Sequence, residues 1–396
     1  MLSKPNNYLE LLETRAKIVQ EYYKVYSDYE ILKPYTLDAK EDITLDFINC
    51  TICGAKNNLI NRKCGKNYVL LQPCLRNNHI NLLKDPNCSS NYMSYFTMLG
   101  GFSYISDKNW IEEFNKIVFR QFNFFRKLYP DNLIKLTIPI EYANFLPLTI
   151  KTKKYLLSNN CLIEISDKDK ENLKWKYGIK DIKGYGTRWE ILTKENKLIN
   201  CGNDIILFDK DKPIGIDFGS GLETLVAVIN DNENLLYSNM ICTDEIKSFC
   251  LNNINKEKLI DSITSIICII EYKEYKSFQV KNLIRMYIKI ISAIMIIENI
   301  TNEALVELIK NISQTLKINY ENFIHEIIID IINRQEDLKE LTKSDIGKEI
   351  MDIYKSGIEP RYYIKGYFQN IYDIELKAME KIIEKENKYV KTREIK

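Results

Sequence analysis

Short apolar runs bounded by Asn, Asp, Lys and Gly dominate the first part of the chain: Tyr68-Val69-Leu70-Leu71, Leu136-Thr137-Ile138-Pro139-Ile140, Cys161-Leu162-Ile163-Glu164-Ile165 and Ile205-Ile206-Leu207-Phe208. Runs of this length predict the strands of a mixed sheet. Between them, Asn7 to Tyr26 and Trp110 to Leu128 repeat apolar residues on one helical face and predict helices. After residue 255 the texture becomes helical throughout. Leu283, Tyr287, Ile290, Ile294 and Ile297 recur at steps of three and four, with Arg285, Lys289 and Ser292 between them, as a core-facing amphipathic helix requires. Leu305, Leu308, Ile312 and Leu316 extend the pattern, as do Phe323, Ile327, Ile331, Leu338 and Leu341. Gly357 and Pro360 then stop a helix. The predicted organisation is an α+β domain over residues 1–235 and a helical domain over 236–396. The stretch from Ile374 to Lys396 mixes both signs of charge and reads as a solvated helix face.

Composition narrows the class of protein. With 396 residues, 45% of them hydrophobic, and no run of eighteen uncharged apolar residues, the chain is expected to be soluble, without membrane spans and long enough for two domains. The N-terminus MLSKPNNYLE is polar where a secretory leader would be apolar, so a cytoplasmic location is expected. A net charge of +2 argues against a general polyanion-coating surface. Ten cysteines in such a chain read as reduced thiols. Cys50 and Cys53, with Cys64 and Cys74, could be forced into a four-thiolate zinc site, but the first pair sits in an apolar, strand-like segment and no second CxxC completes the pattern. Only two histidines occur, His79 and His325, so no resident metal site is expected.

Two stretches carry candidate chemistry. Gln72-Pro73-Cys74-Leu75-Arg76 follows a β-type run and precedes the polar Asn77-Asn78-His79, as an arginine at the tip of a strand entering a hairpin loop would. Taken alone, Arg76 is also what a surface arginine at a strand end looks like. Aromatic residues on the return strand, Phe96 or Phe102, are placed to stack on a base, although rings on strands usually belong to the core. Further on, Gly219 and Gly221 lie between the strand-like Pro213 to Phe218 and the helix-like Leu222 to Ile229, where missing side chains let backbone approach a ligand closely. Asp217 would point a carboxylate into the same pocket. A substrate ammonium is its natural partner.

In order along the chain, these stretches resemble motifs 2 and 3 of class II aminoacyl-tRNA synthetases, and their neighbours resemble alanyl-tRNA synthetases in particular. Asp42-Ile43-Thr44-Leu45-Asp46-Phe47-Ile48-Asn49 is similar to the family strand that opens with Asp-Pro-Thr-Leu and ends in Phe-Thr-Asn. Gln72 to Arg76 and Met98-Leu99-Gly100-Gly101-Phe102-Ser103-Tyr104 are similar to its Gln-x-Cys-x-Arg and Met-Leu-Gly-Asn-Phe-Ser-Phe. Trp175 with Gly178, Gly186 with Glu190, and Asn203 fall on further family positions. Asp217-Phe218-Gly219-Ser220-Gly221-Leu222-Glu223-Thr224 resembles Asp-Thr-Gly-Met-Gly-Leu-Glu-Arg, and the helical half resembles the family's mid-body tRNA-recognition domain.

The resemblance implies a class II synthetase-like antiparallel sheet with flanking helices, followed by an all-helical domain. It implies use of ATP with Mg2+. Arg76 would hold the α-phosphate, a catalytic role, because a fixed guanidinium stabilises the charge that develops as pyrophosphate leaves. Phe96, with Phe102, Gly219 and Gly221, would form the adenine and phosphate surface. Asn49, Trp175, Glu190, Asn203, Asp217 and Gly219 would line the amino-acid pocket, Asp217 binding the ammonium. Departures fall on phosphate contacts. Thr224 stands where the family has the arginine closing motif 3, Asn91-Tyr92-Met93 stands for its Arg-His-His, and the lysine and aspartate of its Lys-His-Asn-Asp loop are not clearly present around Asn78 to Leu82. One lost charge-assisted contact costs roughly 1.5–3 kcal/mol. Without counterparts of the family's editing and C-terminal domains, the expectation is a ligase that activates alanine or another small amino acid and passes it to a carrier protein or small-molecule amine. A reduced enzyme charging tRNA is the alternative, and a non-catalytic relative binding RNA, protein or an amino acid is the next.

Overall fold

The computed structural model describes residues 4–39, 45–89, 93–106, 108–167, 174–230, 235–249, 253–272, 278–319, 324–358, 365–366 and 370–394. These residues form two compact units: residues 1–75 with 96–242, and residues 76–95 with 243–396.

The first unit is built on a ten-stranded sheet. Its strands are β1 (Glu30–Ile31), β2 (Tyr68–Leu75), β3 (Tyr95–Tyr104), β4 (Ile134–Pro139), β5 (Cys161–Ser166), β6 (Lys174–Lys176), β7 (Ile182–Gly186), β8 (Arg188–Leu192), β9 (Leu198–Asp209) and β10 (Lys212–Gly221). Their spatial order is β1-β2-β3-β10-β9-β8-β4-β5, with β6 and β7 attached beside β9. Apart from the parallel pairs β1–β2 and β4–β5, the registered neighbours run antiparallel. The α+β class expected from the apolar runs is the observed one. β9 is long because it serves two partners on one edge. Its end, Ile205 to Asp209, pairs with β7, and its start, Leu198 to Gly202, pairs with β8.

Helices cover both faces of this sheet. On one face α1 (Tyr8–Val25) and α4 (Trp110–Leu128) bury Leu11, Ile18, Tyr22, Phe114, Phe122 and Phe125 against Leu99, Ile206, Ile216 and Phe218. Asn7 caps α1 by accepting from the Glu10 amide. On the other face α2 (Cys53–Ile60) sets Cys53, Ala55 and Leu59 over Tyr68, Leu70, Phe102, Ile205 and Leu207. Here the prediction of a strand-like segment at Cys50 and Cys53 fails. Cys53 opens a helix, because the small residues Gly54 and Ala55 let it lie close on the sheet. Residues 45–49 are irregular rather than a strand, and Asp42, Ile43 and Thr44 lie outside the described residues.

The second unit gathers the helices Asn253–Tyr272 (here αA), Phe278–Glu298 (αB), Asn302–Leu316, Ile324–Lys343, Asp345–Ser356 and Asp373–Glu394. Gly357 ends its helix in a left-handed conformation, φ +66°. αB departs from the simple amphipathic expectation. It packs against αA, Ile324–Lys343 and Asp373–Glu394, so Ile290, Ile291, Ser292, Ala293, Ile294 and Met295 are all buried. Ser292 is inside the unit, donating to the Ile331 carbonyl at 3.1 Å. The segment 76–95, with a short helix Ile80–Lys84, belongs to this unit and is more than the polar hairpin loop the sequence suggests. Among the described residues no helix is long and apolar enough to cross a membrane.

Candidate active site

Register across the sheet brings several of the sequence-selected residues onto one face. Directly opposed residues on antiparallel strands point the same way, and alternate residues along a strand share a face. One row crosses four strands as Gly186, Ile205, Asp217 and Phe102. The next holds Asn203, Gly219 and Gly100, and a third holds Gly221 and Met98. This face is rich in glycine, and most of those positions are filled by a neighbouring side chain. An added Cβ would meet Phe102 Cζ at 2.0 Å on Gly215, Thr51 Oγ1 at 2.3 Å on Gly100 and Trp175 Cζ3 at 2.6 Å on Gly186. Gly219 is less tightly filled: an added Cβ would meet Met98 Sδ at 3.3 Å, the Leu99 carbonyl at 3.4 Å and Met98 Cγ at 3.5 Å. Gly219 and Gly221 are also half-exposed.

Asp217 stands two residues before Gly219 on the same face. It is buried, and Tyr177 Oη donates to its Oδ2 at 3.1 Å. Burial, and then the Asp217 charge, hold the Tyr177 phenol well above its usual range, so the hydroxyl stays a donor. Trp175, half-buried, lies over Gly186 in the same layer. Asn203 is fixed by donating from Nδ2 to the Thr187 carbonyl at 2.8 Å, at the link between β7 and β8.

Other expected site residues are placed differently. Glu190 is engaged with β4 and β8: it accepts from Thr137 Oγ1 at 3.0 Å and lies 3.3 Å from Lys135 Nζ and 3.5 Å from Arg188 Nε. Phe102 is fully buried, its ring packed on Tyr68 and edge-on to Tyr104, so it is a core ring and the base-stacking expectation narrows to half-buried Phe96. Asn49 is half-buried in the irregular segment before α2. Arg76 immediately follows β2 and belongs to the second unit, its amide donating to the Ser94 carbonyl at 2.9 Å.

Sequence reasoning missed the partner of Glu223. Arg15 of α1 lies 3.0 Å from Glu223 Oε1 and donates to the Ser238 carbonyl at 2.7 Å and to Thr97 Oγ1 at 3.2 Å. The Thr97 amide donates to Glu223 Oε2 at 2.9 Å. This buried network ties α1, β3 and the helix Leu222–Ile229 together directly after Gly221. Its one sequence signal is a charged residue on the buried stripe of α1, in phase with Leu11, Ile18 and Tyr22. Among the described residues no cluster of three or more His, Cys, Asp or Glu residues is disposed around a metal.

Comparison with known proteins gives a likeness of shape only. No family model matches the chain, and no curated protein does. Among solved structures it is similar to one described as the RNA binding domain of threonyl-tRNA synthetase from Cryptosporidium parvum Iowa II, with 11% identity, TM-score 0.38, and 57% of this chain matched to 64% of that one. Histidyl-tRNA synthetase of S. aureus aligns over 55% of this chain and 69% of its own at 10% identity and TM-score 0.33. Asparaginyl-tRNA synthetase of Entamoeba histolytica, in complex with asparaginyl-adenylate, aligns over 59% and 66% at 11% identity and TM-score 0.33. The matched part thus spans less than two thirds of the threonyl chain.

Proposed function

We propose that the chain is an adenylate-forming ligase that activates a small α-amino acid, alanine or one of similar size, with ATP. The observation that carries this reading is the buried Asp217 carboxylate, backed by Tyr177, on the same sheet face as half-exposed Gly219. A buried carboxylate recognises an ammonium group, because the pair is worth far more out of water than in it. Trp175 limits the room for the substrate side chain, and Asn203 offers an amide to its carboxylate or to ribose. In the reaction the substrate carboxylate attacks the α-phosphorus, the bond to the bridging oxygen breaks, and pyrophosphate leaves. Arg76 is assigned the α-phosphate and Phe96 the adenine on their positions in the chain, at the exit of β2 and the entry of β3. Mg2+ enters with the nucleotide as part of the substrate, held by phosphates and water.

The acceptor in this reading is a carrier protein or a small-molecule amine. A second reading, charging of tRNA, is favoured by one observation in the helical unit: Lys84 and Lys289 both stand over the Tyr372 ring, at 4.6 and 4.8 Å, a cationic and aromatic pairing suited to nucleic acid. A third, non-catalytic binding of RNA, protein or an amino acid, is favoured by Thr224 where a phosphate-gripping arginine would be. Amino-acid-dependent exchange of labelled pyrophosphate into ATP, followed by transfer to tRNA or to a carrier protein, separates the three. Exchange with no transfer to tRNA supports the first reading, exchange with transfer the second, and no exchange with any amino acid the third.

A further inference from the structure

Within the helical unit, four polar side chains converge on one buried point. The Ser94 amide donates to Asp261 Oδ1 at 2.7 Å and its hydroxyl to Asp261 Oδ2 at 2.9 Å. Tyr287 Oη lies 3.0 Å and His79 Nε2 3.3 Å from the same hydroxyl, and His79 Nε2 is 3.5 Å from Asp261 Oδ2. Ser94 is fully inaccessible, and Asp261 and Tyr287 are each 1% exposed. Serine, histidine and aspartate together suggest a nucleophile, but the geometry excludes one. A single imidazole nitrogen faces both serine and aspartate, so the ring does not bridge them, and no substrate reaches the hydroxyl.

The arrangement is instead a clasp on the contact between Ser94 and Arg76. The carbonyl of Ser94 accepts the Arg76 amide at 2.9 Å. Asp261 lies on αA and Tyr287 on αB, so two helices grip Ser94 and Ser94 grips the backbone of Arg76. A second tie runs in the same direction: Lys258 on αA, whose ammonium is buried, donates to the Asp85 carbonyl. A buried carboxylate holding an amide and a hydroxyl is a high-stakes contact, since removing either partner leaves a desolvated charge.

We propose that Asp261, Ser94 and Tyr287 are positioning residues for Arg76: the clasp fixes the main chain from which the guanidinium extends, and acts on adenylate formation through that arginine. The proposal rests on the role given to Arg76 above. Misplacing a catalytic group by about 1 Å costs on the order of a hundredfold in rate. Loosening the clasp should therefore lower the exchange rate while leaving amino-acid binding as it was.

Two measurements on the full chain test this separately. In hydrogen exchange, the Arg76 amide of wild type should be protected, and Asp261→Asn with Ser94→Ala should speed its exchange ~10-fold or more. Ser94→Thr, which keeps the hydroxyl, should restore protection. In pyrophosphate exchange, Ser94→Ala should lower kcat ~10-fold or more with the amino-acid KM within ~2-fold, and Ser94→Thr should recover most of it. Wild-type protection of the Arg76 amide in the double variant would overturn the clasp, whatever the activity. Lost protection with unchanged kcat would overturn its link to catalysis. Absence of exchange in wild type would overturn the adenylation reading and, with it, this positioning role, while the amide measurement still judges the clasp itself.

Discussion

In the proposed reaction Asp217 and Gly219 would make complementary demands on the substrate, one chemical and one steric. Asp217→Asn keeps the shape and removes the charge, so an ammonium substrate loses its partner at a cost of roughly 3–5 kcal/mol. Amino-acid activation should fall by on the order of a hundredfold or more; calorimetry showing unchanged amino-acid affinity would take Asp217 out of the pocket. Gly219→Val puts a side chain over this half-exposed backbone, and its nearest side-chain neighbour, the Met98 thioether, is flexible enough to move. The variant should melt within a few degrees of wild type yet bind no amino acid. Gly215→Ala is the control, because its Cβ would stand 2.0 Å from a ring carbon of buried Phe102. It should destabilise the fold by about 1–3 kcal/mol or more. Arg76→Ala should cost on the order of a hundredfold in adenylate formation, and Arg76→Lys should recover little, since a point charge does not reproduce the planar fork. Single-turnover rates at saturating ATP check both; unchanged rates would remove Arg76 from the reaction.

At the scale of elements, β9 carries both a candidate site residue and a pH dependence. Asn203 shares the face of Gly219, and the next residue, Asp204, lies on the opposite face, toward Gln121 of α4. Asp204 is fully buried and accepts from Trp189 Nε1 at 2.6 Å. Burial pushes its carboxyl up to about 7, against a partial lowering by Trp189 and Gln121. Because the folded value lies above the unfolded one, the neutral form is favoured by folding. Its stabilisation is complete below about pH 4 and is lost as pH rises through 7, a change of roughly 4 kcal/mol. Asp204→Asn should therefore gain on wild type by about that much between pH 4 and pH 8 in denaturant titrations. A difference that does not vary with pH would mean that the carboxyl is charged throughout. The elements themselves were largely legible: runs at Tyr68, Leu136, Cys161 and Ile205 became β2, β4, β5 and β9, and Asn7 caps α1 as a helix start should. What local periodicity does not record is which layer a short segment joins. Cys53 reads as strand by its apolar neighbours and is helix because α2 must cover Tyr68 and Phe102. Asp217, Gly219, Asn203 and Trp175 share a face through register, whereas Phe102 and Glu190 carry the right residue type in positions that packing and ion pairing claim.

At the scale of the molecule, two compact units divide the chain, and the division does not follow sequence order. Residues 76–95 interrupt the sheet unit and pack with the helices. No periodicity announces this, because the contacts that decide it, Ser94 with Asp261 and Asp85 with Lys258, join residues more than 160 positions apart. The proposed activity is formation of an aminoacyl adenylate from ATP and a small amino acid. Pyrophosphate exchange with the purified full chain, across a panel of amino acids and without RNA, is its decisive assay. Exchange should require a free α-ammonium group, be strongest for alanine-sized side chains and disappear in Asp217→Asn. No exchange with any amino acid, or exchange undiminished in Asp217→Asn, would contradict it.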